Sequence, residues 1–124
     1  MTPERELIDR LSSFFPNGAD LDCVCFYRFS IVFLIDVVKI KTYSSVLFKE
    51  GEVVRHLSAN SKKLNSEIFP FLSKIGGRIK KFDLVDGQLG LTFDDGDKLY
   101  FLLKGAGAVE VWGEDFGLFI VGDD

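Results

Sequence analysis

Hydrophobic residues along this chain recur with two different periods. Leu7, Ile8, Leu11, Phe14 and Phe15 return every three or four residues, which places one apolar face on a helix over 3–15. Thr2-Pro3-Glu4 suits its start: a capping hydroxyl, a proline for the first turn, and an acid at the positive dipole end. Pro16-Asn17-Gly18 closes it. From Leu21 the period is two, with Leu21, Cys23, Cys25, Tyr27 and Phe29 on one strand face and Val24 and Phe26 on the other. Ile31 to Ile35 is unbroken apolar, as expected of a strand covered on both faces. Val38, Ile40 and Thr42 alternate with Lys39 and Lys41, a half-exposed strand, and Lys49-Glu50-Gly51-Glu52 reads as a turn.

The helical period returns between Ser58 and Ile75, where Leu64, Ile68, Phe71, Leu72 and Ile75 predict a second helix over 60–75. Pro70 then requires the main helix to start near Ser66, and Gly76-Gly77 stops it. Five strands follow in the pattern, Ile79–Val85, Leu89–Phe93, Lys98–Leu103, Val109–Trp112 and Leu118–Val121, with Asp-Gly and other turn residues between them. The expected fold class is α+β: a helix, antiparallel strands, a second helix, then a C-terminal antiparallel meander of five strands. A faint repeat at an offset of 58 aligns 21–36 with 79–94, setting Leu21 on Ile79 and Ile31, Phe33 and Ile35 on Leu89, Leu91 and Phe93. It also places a turn near Arg28 to Ser30, in a stretch with neither Gly nor Pro.

Composition narrows the class. A length of 124 residues is that of one domain, 1–124, against a typical size of roughly 150. Hydrophobic residues at 47% and charged residues at 27% exclude a disordered chain. A net charge of −4 argues against binding nucleic acid through bulk positive charge. The acidic, polar N-terminus lacks the form of a secretory signal. The most apolar run, Cys23 to Val38, is broken by Arg28, Ser30 and Asp36 and is shorter than the roughly 20 residues that span a bilayer. A cytoplasmic protein without a membrane role is expected.

The chemistry-bearing residues point away from catalysis, metals and cofactors. His56 is the only histidine and has no nucleophile-elbow context. Cys23 and Cys25, two apart on one strand, are poorly placed for a mutual disulfide and with one histidine cannot complete a zinc site. Asp94-Asp95-Gly96-Asp97 resembles a calcium loop, but the twelfth position is Gly105 rather than a glutamate. Gly105-x-Gly107 lacks the spacing of a phosphate loop.

Charge asymmetry is the informative feature. Residues 1–82 hold 13 Lys and Arg against nine Asp and Glu, a net of +4, whereas 83–124 hold two Lys against ten acids, a net of −8. Most of these acids fall in turns, where they keep a Phe-rich sheet soluble or steer a basic partner. The candidate partner-binding residues are Asp94, Asp95 and Asp97 on one turn and Glu114 and Asp115 on another. If alternate turns of a meander share an end, both groups share one sheet edge, with Trp112 or Phe116 as aromatic anchor.

The segment 76–112 resembles small bacterial immunity proteins of polymorphic or contact-dependent toxin systems. The residues that carry the likeness are Gly76 and Ile79, the Leu89-x-Leu91-x-Phe93 strand, Asp95-Gly96, Leu99-x-Phe101 and Glu110-x-Trp112. The resemblance implies a non-enzymatic protein that binds and neutralises a toxin effector, often a basic nuclease. Alternative readings are an acidic secretion chaperone, with a homodimer left open, and a phage- or plasmid-borne inhibitor of a host nucleic-acid enzyme.

Overall fold

The computed structural model describes residues 2–58, 73–105 and 108–122. These form one helix, α1 (Pro3–Phe14), and ten strands: β1 (Ala19–Phe26), β2 (Ile31–Ile35), β3 (Val38–Thr42), β4 (Ser45–Glu50), β5 (Val53–Ser58), β6 (Arg78–Val85), β7 (Gln88–Phe93), β8 (Lys98–Leu102), β9 (Val109–Gly113) and β10 (Gly117–Val121). Thr2 caps α1 by accepting the Arg5 N–H at 3.2 Å, and Pro3 fills a first-turn position that needs no donor. Leu7, Ile8 and Leu11 are buried as its core-facing stripe.

All ten strands belong to one antiparallel sheet in the order β10-β9-β3-β2-β1-β6-β7-β8-β4-β5. The protein is therefore mostly β, which corrects the α+β expectation of two helices and a five-strand meander. The five C-terminal strands occur where the alternation places them, but the meander is broken: β8 pairs with β4, and β9 pairs with β3. The turn expected at Lys49–Glu52 joins two further strands that the sequence pattern does not announce, the β4–β5 hairpin, with Val46, Phe48 and Leu57 turned inward. The helix expected at 60–75 lies outside the described residues except for 73–75, which form a turn.

The strand plan repeats. Adding five to each strand number and reversing the order returns the same order, so β1–β5 and β6–β10 are related by a two-fold symmetry of topology. The register repeats at the offset of 58. Leu21 pairs with Ile35 and Cys23 with Leu34 across a bulge, as Ile79 pairs with Phe93 and Lys81 with Thr92 across a second bulge. The Asp36 N–H donates to the Asp20 carbonyl at 3.0 Å, as the Asp94 N–H does to the Arg78 carbonyl at 2.9 Å. The sheet thus has two halves, β10-β9-β3-β2-β1 and β6-β7-β8-β4-β5, each completed by a hairpin from the other repeat, β9–β10 adding to β3 and β4–β5 adding to β8. The chain leaves β3 through a crossing tied down at Ala108, whose carbonyl accepts the Tyr43 N–H at 3.2 Å and the buried Thr42 hydroxyl at 3.4 Å.

The sheet folds over on itself. In a flat sheet β2 and β8 are four strands apart, about 19 Å at the usual spacing. Instead the rings of Phe33 on β2 and Phe101 on β8, both fully buried, meet edge to face with centroids 4.9 Å apart. The inner faces thus share one core, and α1 lies against β6 and β10, where Phe15 stacks on Phe82 at 5.9 Å. The bulge in β1 also changes which face its residues take. Leu21 points into the core, while Cys23 and Cys25 point outward beside Leu34 and Val32, so the single face expected for Leu21, Cys23 and Cys25 is split.

The halves meet where Ala19 pairs with Ile79 and Asp20 with Arg78. Gly18 precedes this junction at φ +86°, and a Cβ there would stand 2.5 Å from the Ile79 carbonyl oxygen. Its counterpart Gly76 has φ +91° with open space around it. Gly76→Ala should cost the left-handed penalty alone, about 1–2 kcal/mol, while Gly18→Ala should cost clearly more. Urea unfolding midpoints check this, and equal losses would show that the junction tolerates displacement.

Candidate functional site

The acidic turns are only partly free. Asp94–Asp97 joins β7 to β8, and there the Lys74 ammonium pairs with both Asp95 and Asp97. The Asp95 carboxylate also accepts the Asp97 N–H at 3.0 Å, and the Asp97 carbonyl accepts the Phe93 N–H at 2.8 Å. These bonds tie Asp95 and Asp97 into the turn itself. Asp94 is exposed, as are Glu114 and Asp115 in the β9–β10 turn. The two turns belong to different halves of the sheet, because β8 and β9 are not neighbours, so they are not the alternate turns of one meander.

Phe116, a candidate anchor, is a core residue. It is 2% exposed, its ring lies edge to face against Phe14 with centroids 5.4 Å apart, and the Arg10 guanidinium sits 5.6 Å above it. Trp112 is placed differently, half-exposed on the outer face of β9 with the Lys39 ammonium 5.8 Å from its ring. No single-residue pattern separates these two aromatics; the strand register does.

That register builds two rows across the outer face of the first half. One runs Cys23–Leu34–Lys39–Trp112–Leu118 and the other Cys25–Val32–Lys41–Glu110–Ile120, each from β1 to β10. Cross-strand partners share a face and touch. Leu118 is 65% and Ile120 56% exposed. Val32 and Leu34, expected under cover on both sides, are half-exposed. A hollow of about 220 Å³ opens between the rows, floored by Val32 and Leu34 and walled by Tyr27, Lys39, Lys41 and Trp112. The β1–β2 connection rims it with Tyr27, 61% exposed, and carries Phe29 under the Arg28 guanidinium at 5.0 Å.

The equivalent rows of the second half read Lys81–Thr92–Lys98–Lys49–Val54 and Asp83–Gly90–Tyr100–Leu47–His56. Lys81 pairs with Asp83 there at 3.4 Å. The same ten backbone positions are thus largely apolar in one half and largely polar in the other.

Two groups on the apolar face have displaced acidities. The hydrogen bond to Tyr43 holds the Lys41 proton more firmly than usual, opposed by desolvation and helped by the charges of Tyr43, Glu110 and Tyr27. The Cys25 thiol, 3.6 Å from Cys23 and hydrogen-bonded to it, pushes the Cys23 thiol above its usual 9.0, so Cys23 is protonated at neutral pH. His56 lies on the opposite outer face, and among the described residues no three His, Cys, Asp or Glu side chains converge as metal ligands. Among the same residues no helix is long and apolar enough to cross a membrane.

No protein-family model, curated protein or solved structure matches this chain, so the functional reading rests on its own geometry.

The Lys74 cluster has a pH signature. Lys74 holds the Asp95 carboxyl below its usual 3.8, and the Asp97 N–H adds to this. A depressed carboxyl contributes stability above its ordinary value and loses it as pH falls through the folded one. For Lys74, burial lowers the pKa, but the bonds to Asp95 and Asp97 outweigh it and raise it; that contribution is present below 10.5 and lost as pH rises through the folded value. Lys74→Gln should therefore lower the melting temperature at pH 7, and the gap to the native chain should shrink as pH falls below 3.8. Melts across the acid limb test it, and a gap independent of pH would mean the ion pairs contribute nothing.

Proposed function

We propose that this protein acts without catalysis, by binding another protein over the outer face of β10-β9-β3-β2-β1. The observation that carries the reading is the contrast between the two halves. Positions that share one backbone plan hold Leu34, Trp112, Leu118, Val32 and Ile120 on one side and Thr92, Lys49, Val54, Gly90 and His56 on the other. Apolar surface gathered on one face and rimmed by polar groups is how interaction sites differ from ordinary surface. Trp112 supplies the aromatic type that anchors such contacts.

The non-catalytic part of the reading is supported by the separation of reactive groups. The one imidazole, His56, is on the polar outer face, and the two thiols are on the apolar one. A toxin inhibitor is one protein that works in this way, by occluding an effector. A second reading places a basic partner on the acidic turns, favoured by the exposure of Asp94, Glu114 and Asp115.

Two variants separate these readings. Retention of the native partner on the immobilised protein should fall sharply with Leu118→Lys plus Ile120→Lys, because two charges enter the contact, and should change little with Asp94→Asn, Glu114→Gln and Asp115→Asn. The reverse pattern would move the site to the turns.

A further inference from the structure

Resting on that reading, we infer that the partner segment seated on this face is itself acidic as well as apolar, with its carboxylates meeting Lys39 and Lys41. The hollow between the rows has two cations on its lining and no anion. Glu110 is the single acid in the two rows, and its row neighbour is Lys41. The face therefore carries an excess of positive charge in a chain whose net charge is −4.

The lysines stand in the middle of the apolar surface. Lys39 has Leu34 on one side and Trp112 on the other, and Lys41 has Val32 and Glu110. Both ammonium groups lie against aromatic rings, Lys39 at 5.8 Å from Trp112 and Lys41 at 5.0 Å from Tyr43. A partner that buries Leu34, Trp112 and Leu118 must cover Lys39 as well. Removing an ammonium from water without a counter-charge is costly, so a neutral or basic segment is selected against and a segment bearing Asp or Glu is selected for.

A nucleic acid fits less well. Phosphate recognition draws on a run of cations, and here two lysines share the face with Glu110 and with the apolar ends Leu118 and Ile120.

Trp112, the only tryptophan, makes the test direct, since its emission reports on the hollow itself. Random peptides displayed on phage are selected on the intact protein, and the recovered sequences are synthesised and titrated by Trp112 fluorescence. Peptides combining Asp or Glu with apolar residues should be recovered. Lys39→Gln with Lys41→Gln should weaken them by about tenfold or more, while Lys39→Arg with Lys41→Arg keeps binding. Raised salt should weaken binding to the native protein and much less to the glutamine variant. Unchanged melting curves for both variants would confirm that the loss is not unfolding.

Recovered peptides that are neutral or basic and indifferent to the glutamine variant, but lost with Leu118→Lys plus Ile120→Lys, would overturn this inference and leave the docking face standing. Peptides indifferent to both variants, or no recovered peptide, would remove the docking face too. A lysine-dependent change in Trp112 emission on adding a short oligothymidylate, with no such peptide response, would assign the face to nucleic acid and overturn the inference.

Discussion

Where β1 meets β6, two residues of each strand pair, Ala19 with Ile79 and Asp20 with Arg78. The contact is extended by the Leu21 N–H on the Gly77 carbonyl at 2.9 Å and the Gly76 N–H on the Leu21 carbonyl at 2.6 Å. Arg78 bridges to Asp20 at 3.2 Å. This ladder is short because both strands bulge immediately afterwards and turn their remaining length toward β2 and β7. Without those bends the halves would continue as a flat sheet, and Phe33 could not reach Phe101. The shared core, the fold of the sheet over it and the orientation of both outer faces follow from one brief antiparallel contact and two bulges.

The symmetry then acts as an internal control. Inner positions are apolar in both halves because one core serves both; Leu21, Phe33 and Ile35 have Ile79, Leu91 and Phe93 as counterparts. Outer positions are under no such constraint, and there the halves differ in kind. An apolar outer face costs solubility and invites association, and the second half demonstrates that this backbone does not require it. What distinguishes the first half is therefore chemistry at the surface rather than a demand of folding.

Much of the strand content was legible, since period-two alternation placed β6 to β10 within a residue or two, and α1 announced itself by Thr2-Pro3 and its apolar stripe. Pairing was not legible. Nothing local tells β9 to join β3, because that choice is made by the free edge of β3 and the anchoring of Tyr43 and Thr42 at Ala108. The bulge after Leu21 was hidden for a similar reason: Leu21, Cys23 and Cys25 keep a perfect alternation while the backbone inserts a residue beneath it. Trp112 could be singled out as an aromatic beside a turn, but telling it from Phe116 needed the register. The acids of the β7–β8 turn looked unpaired because their counter-ion, Lys74, stands about twenty residues away in sequence.

The exchange of hairpins has a consequence for the nascent chain. Synthesis delivers domains from the N-terminus at about 5–20 residues per second. When β3 has emerged its outer edge has no neighbour, for that neighbour is β9; when the β4–β5 hairpin has emerged, the strand it joins, β8, is still to come. Neither half can close as it is made. The first half must wait with Phe33 lacking its partner ring until Phe101 is released and with an open edge until Val109–Gly113 is, and the order of translation is thereby opposed to the order of pairing. For a small protein with one outer face already apolar, this interval on the ribosome is the time of greatest exposure to wrong partners.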